Sequence, residues 1–137
     1  MIGEEGRGRV EVLDFDGACR VERDDELLAR LQSVRRGADG AFILDHGGAG
    51  SLWVHINGDA AFLWFCPDRD GSHPGFVSDG MWSRDRRDVR FLLVGGDEGD
   101  SIIARWWQLL PVDAAYRAAV EYLHSPSPPA SVTWFEL

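Results

Sequence analysis

Lysine is missing from this chain altogether: all 14 basic residues among its 137 are arginine. Cysteine is scarce, limited to Cys19 and Cys66. The two stand far apart and in no paired spacing, which argues against a disulfide-stapled scaffold or a cysteine-rich zinc fold. Two reduced thiols in a cytoplasmic protein are the expectation. No run approaches the roughly 20 apolar residues of a membrane-crossing helix. Met1 to Gly8 is polar and mixed in charge, unlike a secretory signal, and is expected to be flexible. Positive charge is in deficit too. The 23 acidic residues leave a formal net charge of −9, which disfavours a nucleic-acid binder because phosphates must be neutralised. Such acidity suits a protein steered to a basic partner, and equally one merely kept in solution.

Catalytic and cofactor motifs are lacking as well. Gly47-Gly48-Ala49-Gly50 follows an apolar run, but a phosphate loop needs a helix N-terminus next, and here a strand pattern follows. Asp68-Arg69-Asp70-Gly71 is like the opening of a calcium loop. The invariant glycine position would fall on His73, however, and the closing glutamate position on Asp79. His46, His55, His73 and His124 show no paired ligand spacing, so a metal site would have to assemble from distant loops. No G-x-S-x-G elbow occurs, and Cys66 lies in an apolar strand pattern where a thiol is inert. No cofactor is expected. A small metal-dependent hydrolase built from His46, His55 and His73 stays open as an alternative.

What is present is the patterning of one α+β domain spanning 1–137. Arg9 to Phe15 alternates as a first strand. Asp24 then offers an N-cap, with Asp25 and Glu26 in the first turn, and Leu27, Leu28, Leu31 and Val34 form a helical stripe. Arg35 and Arg36 would close that helix and Gly37 would cap it. Ala41 to Leu44 and Ser51 to Ile56 read as strands. Asn57-Gly58 then predicts a type I′ hairpin leading into Ala60 to Cys66, apolar on both faces and so central. Pro67 to Arg87 reads as a long polar loop, Val89 to Val94 and Ser101 to Leu110 as strands. Asp113 would cap a second helix through His124, with Val112, Ala115, Tyr116, Ala119, Val120 and Leu123 along its apolar face. After the break Ser125-Pro126-Ser127-Pro128-Pro129, Ser131 to Leu137 alternates Val132 and Trp134 against Thr133 and Phe135, a closing strand. The order predicts an antiparallel or mixed sheet with two helices packed on one face.

Two features suit partner binding. Asp97, Glu98 and Asp100 gather three carboxylates within four residues. They make either a solvated turn or the acidic half of an ion-paired interface. Trp82, beside Met81, Ser83 and Arg84, has the composition of an interface hot spot, although a tryptophan folded back onto the core is the competing reading.

Four segments in this order also carry a family resemblance: "SLWVHINGDAAFLWF" (Ser51 to Phe65), "GGDEGD" (Gly95 to Asp100), "DAAYRAAVEYLHS" (Asp113 to Ser125) and "SVTWFEL" (Ser131 to Leu137). Together they resemble the first-numbered family of immunity proteins from bacterial polymorphic toxin systems, often encoded beside deaminase-fold toxins. The first fifty residues match only in their strand-helix-strand order. The resemblance implies a cytoplasmic, non-enzymatic α+β antitoxin that binds one cognate toxin and blocks its active site, with no membrane and no direct nucleic-acid contact. It offers no catalytic residues to carry over. The toxin contacts expected are Asp97, Glu98 and Asp100, with Asp68, Asp70 and Trp82 from the long loop. A stand-alone regulatory module that binds another protein is the further alternative.

Overall fold

The computed structural model describes residues 9–34, 39–47, 50–68, 72–82, 86–94 and 100–137. Valine at alternate positions makes β1 (Val10–Asp14), buried at Val10 and Val12 on the face that receives the helices. It turns back at once into β2 (Gly17–Val21). No separate strand was expected there. With Ala18 and Arg20 exposed, β2 is an edge strand whose inward side chains, Cys19 and Val21, are too few to register as periodicity.

The first helix, α1 (Asp24–Gln32), has its cap one residue before the expected Asp24. Arg23 holds the extended N-cap conformation, and the Glu26 carboxylate accepts its backbone N–H at 3.1 Å. Asp24 therefore sits in the first turn, where its charge still suits the helix dipole. Leu27 and Leu31 are fully buried. The expected closing residues Arg35, Arg36 and Gly37 lie outside the described residues.

Three long strands follow: β3 (Asp39–Asp45), β4 (Ser51–Asn57) and β5 (Ala60–Cys66), each antiparallel to the next. The β4–β5 hairpin differs from expectation in register. Asn57 pairs with Ala60, which makes Gly58 and Asp59 the loop. Gly58 has φ +62°, while Asp59 is not among the residues with positive φ. Positive φ at the first loop position alone is the type II′ pattern, so glycine is needed at one position rather than two. Asn57 acts elsewhere: its amide donates to the Arg90 carbonyl at 2.9 Å.

Within the stretch expected to be loop lies β6 (Phe76–Ser78), pairing with β5 on one side. Next comes a separate two-stranded ribbon, β7 (Val89–Leu92) and β8 (Ser101–Ala104). The expected strand to Leu110 ends early. Trp106–Gln108 forms a 3₁₀ turn, and only Leu110–Pro111 (β9) returns to pair with β5. The second helix, α2 (Val112–His124), has Pro111 rather than Asp113 at its N-cap. Proline fixes φ near the extended value this position requires. The last strand, β10 (Trp134–Glu136), runs antiparallel to β6 and closes the sheet, as expected.

The main sheet runs β10-β6-β5-β4-β3-β1-β2, with β9 off β5. All its pairings are antiparallel. Both helices cover one face, over Leu52, Val54 and Ile56 of β4 and Ala61, Leu63 and Phe65 of β5. The α2 stripe is centred differently from the sequence reading: Ala118 and Tyr122 are buried, whereas Val112, Tyr116 and Val120 are only partly so. Tyr122 reaches through the core to donate to the Gly50 carbonyl at 2.9 Å. The ribbon covers the opposite face, where Phe91 packs on Phe62 and His55. A layer on each side is why β5 is apolar throughout.

Candidate interaction face

Three segments distant in sequence meet beside the ribbon. The Gly80 and Met81 N–H groups both donate to the Trp107 carbonyl, at 2.9 and 2.8 Å, and Asp79 N–H donates to the Thr133 carbonyl at 2.8 Å. The buried Ser78 hydroxyl accepts from Leu63 N–H at 3.1 Å and donates to the Gln108 carbonyl at 2.7 Å. Gly80 passes so close to the backbone of Leu109 that a Cβ there would collide with its carbonyl oxygen. The strand exit is thereby fixed, and it delivers Met81 and Trp82 to the surface.

Those two side chains are 64% and 42% exposed. Met81 takes φ 45° and Arg86 φ 51°, left-handed values that cost a non-glycine residue about 1 kcal/mol or more. Strain of this kind persists only where neighbouring contacts over-determine it, as the paired bonds to Trp107 do here. Phe135 of β10, 48% exposed, meets the Trp107 ring edge-on at 5.2 Å. The Arg86 guanidinium lies 5.2 Å from the centre of the Trp106 ring. The result is an exposed surface of thioether, aromatic and arginine groups on a rigid support, the composition that anchors protein interfaces.

Of the residues expected to contact a partner, Trp82 belongs to this surface. Asp68 is exposed and accepts from the Ser72 hydroxyl at 2.8 Å. It leaves the sheet after β5, whereas Trp82 leaves after the antiparallel β6, so the two exit at opposite ends. Asp100 is exposed, and its carbonyl accepts from Leu93 N–H at 2.8 Å to close the ribbon. Asp70, Asp97 and Glu98 lie outside the described residues. Sequence reasoning missed Met81, Trp107 and Phe135 as members of one surface. Only the wide exposure expected of a large apolar residue among polar neighbours could have hinted at Met81.

The histidines considered as metal ligands are dispersed. The His46 imidazole bonds the Tyr122 carbonyl at 2.5 Å on the helix side. His55 is 1% exposed on the ribbon side, its Nδ1 3.1 Å from the Phe62 carbonyl. A carbonyl only accepts, so Nδ1 carries the proton. Burial among aromatic rings lowers the His55 pKa to about 4, against the opposing effect of that hydrogen bond. His73 stacks on Phe76 and pairs with Glu136 at 3.0 Å. Among the described residues no three His, Cys, Asp or Glu side chains gather to hold a metal ion. Burial also raises the Cys66 thiol pKa, outweighing its bond from Ser51, which is the reverse of nucleophile activation. A cleft of about 480 Å³ lies between α2 and the proline segment, lined by Val120, Glu121, His124 and Pro128 among others. Its two charged or titratable side chains are already engaged: Glu121 with Ser131, and His124 with Asp24 at 2.6 Å.

No helix among the described residues is long and apolar enough to cross a membrane. The chain matches no protein-family model and no curated protein.

Proposed function

We propose that this chain is a cytoplasmic immunity protein that binds a cognate bacterial toxin domain, a nucleic-acid-targeting deaminase, and blocks its catalytic cleft. The observation that supports this reading is the Met81–Trp82 pair, exposed on strained backbone that two hydrogen bonds to Trp107 hold in place. Side chains presented in this way lose little conformational entropy on binding, so a preorganised anchor keeps most of its contact energy. The net charge of −9 suits a basic cleft shaped for nucleic acid. The carboxylates of Asp68, Asp70, Asp97, Glu98 and Asp100 would supply the steering charge, and Trp82 the anchor.

The test is co-expression with a toxin domain encoded next to this gene, followed by binding kinetics of purified variants. Trp82→Ala is expected to speed dissociation about thirtyfold, the equivalent of roughly 2 kcal/mol for an interface hot spot. The combined change Asp97→Asn, Glu98→Gln and Asp100→Asn is expected to slow association and flatten its salt dependence, since rim charges act mainly on the on-rate. Full protection of toxin-expressing cells with unchanged kinetics for both variants would move the inhibitory surface elsewhere. A neighbourhood of metabolic genes with no toxin domain would count against the function itself.

A further inference from the structure

The main sheet ends at β10, and the backbone of that strand has a defined orientation. Asp79 N–H donates to the Thr133 carbonyl at 2.8 Å, and Leu137 N–H donates to the Gly75 carbonyl at 2.9 Å. With Trp134, Phe135 and Glu136 opposite Ser78, Val77 and Phe76, these bonds make Thr133, Phe135 and Leu137 the hydrogen-bonded positions towards β6. The alternate residues, Trp134 and Glu136, turn their N–H and C=O groups outwards, where no strand among the described residues pairs with them. Side chains follow the same alternation. Trp134 packs on the helix-side core and Glu136 pairs with His73 at 3.0 Å, whereas Phe135 and Leu137 stay 48% and 47% exposed. Open edges are normally guarded by a charge, a proline or a bulge. At the other end of the sheet β2 carries the exposed Arg20. Thr133 to Leu137 has no proline and no basic residue, and its one acidic side chain is engaged with His73.

This edge is complementary to itself. Antiparallel pairing of two β10 strands about a two-fold axis at Phe135 sets Trp134 opposite Glu136 of the second copy, and those are the residues with outward backbone groups. Phe135 then faces its own equivalent as a close cross-strand aromatic pair, and Leu137 lies opposite Thr133. No like charges meet. An axis at Glu136 would oppose two carboxylates, and one at Trp134 would draw in Val132, whose N–H is turned back onto the Pro129 carbonyl. An axis between residues would match an outward backbone group with an inward one. We propose that the chain self-associates through β10, its sheet joining that of a second copy edge to edge about a two-fold axis at Phe135. Because one edge serves both copies, the assembly closes at two. An extended segment of another protein would use the same backbone groups; the matched side-chain register is what selects a second copy. The inference does not rest on the toxin reading, and its test uses the purified chain alone.

Sedimentation equilibrium of the full chain is run in about 0.3 M salt, to screen the repulsion between two copies of net charge −9. It is expected to show a reversible monomer–dimer equilibrium in the micromolar range, as suits a small interface. Phe135→Arg and Phe135→Glu each place like charges on the axis and should raise the dissociation constant at least about tenfold. Mixed in equal amounts, the two variants should recover a heterodimer, since their charges then face each other with opposite sign. Unmoved β3–β5 amide resonances would show that both variants fold. A second measurement needs no substitution. Amide hydrogen exchange should slow at Trp134 and Glu136 as concentration rises, while Phe135, already paired with Val77, stays unchanged. A monomer at every concentration, a dimer indifferent to both charge variants, a mixture that stays monomeric, or protection gained away from Trp134 and Glu136 would each overturn the proposal.

Discussion

Phe62 and Leu63 are neighbours on β5, yet they enter different layers. Among the described residues, Leu63 joins a core of 20 buried residues beneath the two helices, mostly aliphatic and drawn from both ends of the chain. Phe62 joins four other buried hydrophobic residues beneath the ribbon among the described residues, three of them from the segment after residue 90. The first layer is deep enough to hold a fold together. The second is a thinner lid, tied down by Phe91 and Ala104, by the partly buried Val89 and Ile102, and by the Asn57 amide on the Arg90 carbonyl. The exposed surface of Met81, Trp82 and Phe135 lies beside that lid. If the proposed function holds, contact residues would stand next to the lighter layer and stability in the heavier one, a division that lets contact residues vary without loss of the fold.

The comparison can be broken most directly by truncating one residue in each layer. Leu63→Ala is expected to lower global stability by about 2–5 kcal/mol, the usual cost of a cavity in a well-packed core. Hydrogen exchange should quicken everywhere. Phe91→Ala removes a larger side chain, also fully buried, but its effect should concentrate in β7 and β8, while β4 and β5 amides stay protected. If Phe91→Ala lowered protection evenly across both layers, they would form one cooperative unit, and the division argued above would fail.

How much of this was legible depends on periodicity. Leu52, Val54 and Ile56 alternate strictly, and the α1 stripe places Leu27 and Leu31 one turn apart, so these elements could be read and the structure matches them. β2 and β6 could not. One is a short edge strand with only Cys19 and Val21 as inward side chains, and the other is three residues set in a glycine- and aspartate-rich stretch. In α2, alanines on several sides blur the stripe, and its centre lies at Tyr122, whose contact with Gly50 no local pattern encodes. The exposure of Trp82 was legible from its place in a polar, glycine-rich stretch. Its support was not, since Trp107, Thr133 and Ser78 come together only through long-range pairing that no local pattern encodes.

A finer probe of the lid is His55, neutral and nearly solvent-free between Phe62 and Phe91. Its pKa falls from 6.5 to about 4 on folding. The unfolded chain therefore binds a proton that the folded chain refuses between those two values. The resulting stabilisation is fully present above pH 6.5 and is lost as pH falls towards 4, amounting to about 3 kcal/mol over the window. Denaturant titrations across pH 7 to 5 should show this slope in the parent and a shallower one in His55→Leu. Equal slopes would mean that water reaches the imidazole under the ribbon, and that the lid is looser than its packing implies.

The smallest expected effect tests the hairpin that joins the two central strands. A Cβ on Gly58 would meet nothing within 4 Å, so any penalty there is purely one of backbone conformation. Its φ of +62° is a left-handed value, and Gly58→Ala should cost about 1–2 kcal/mol. Asp59, at the second loop position, is not among the residues with positive φ. Asp59→Ala should therefore change stability by less than about 0.5 kcal/mol, the range of an ordinary surface substitution. A type I′ turn would need positive φ at both loop positions and so would penalise both alanines. Thermal melts of the two single variants separate the cases, and a comparable loss from Asp59→Ala would overturn the type II′ assignment. Because both changes lie at the end of β4 and β5 and touch neither core, they also calibrate how small a change the heavier layer registers before the lid is disturbed.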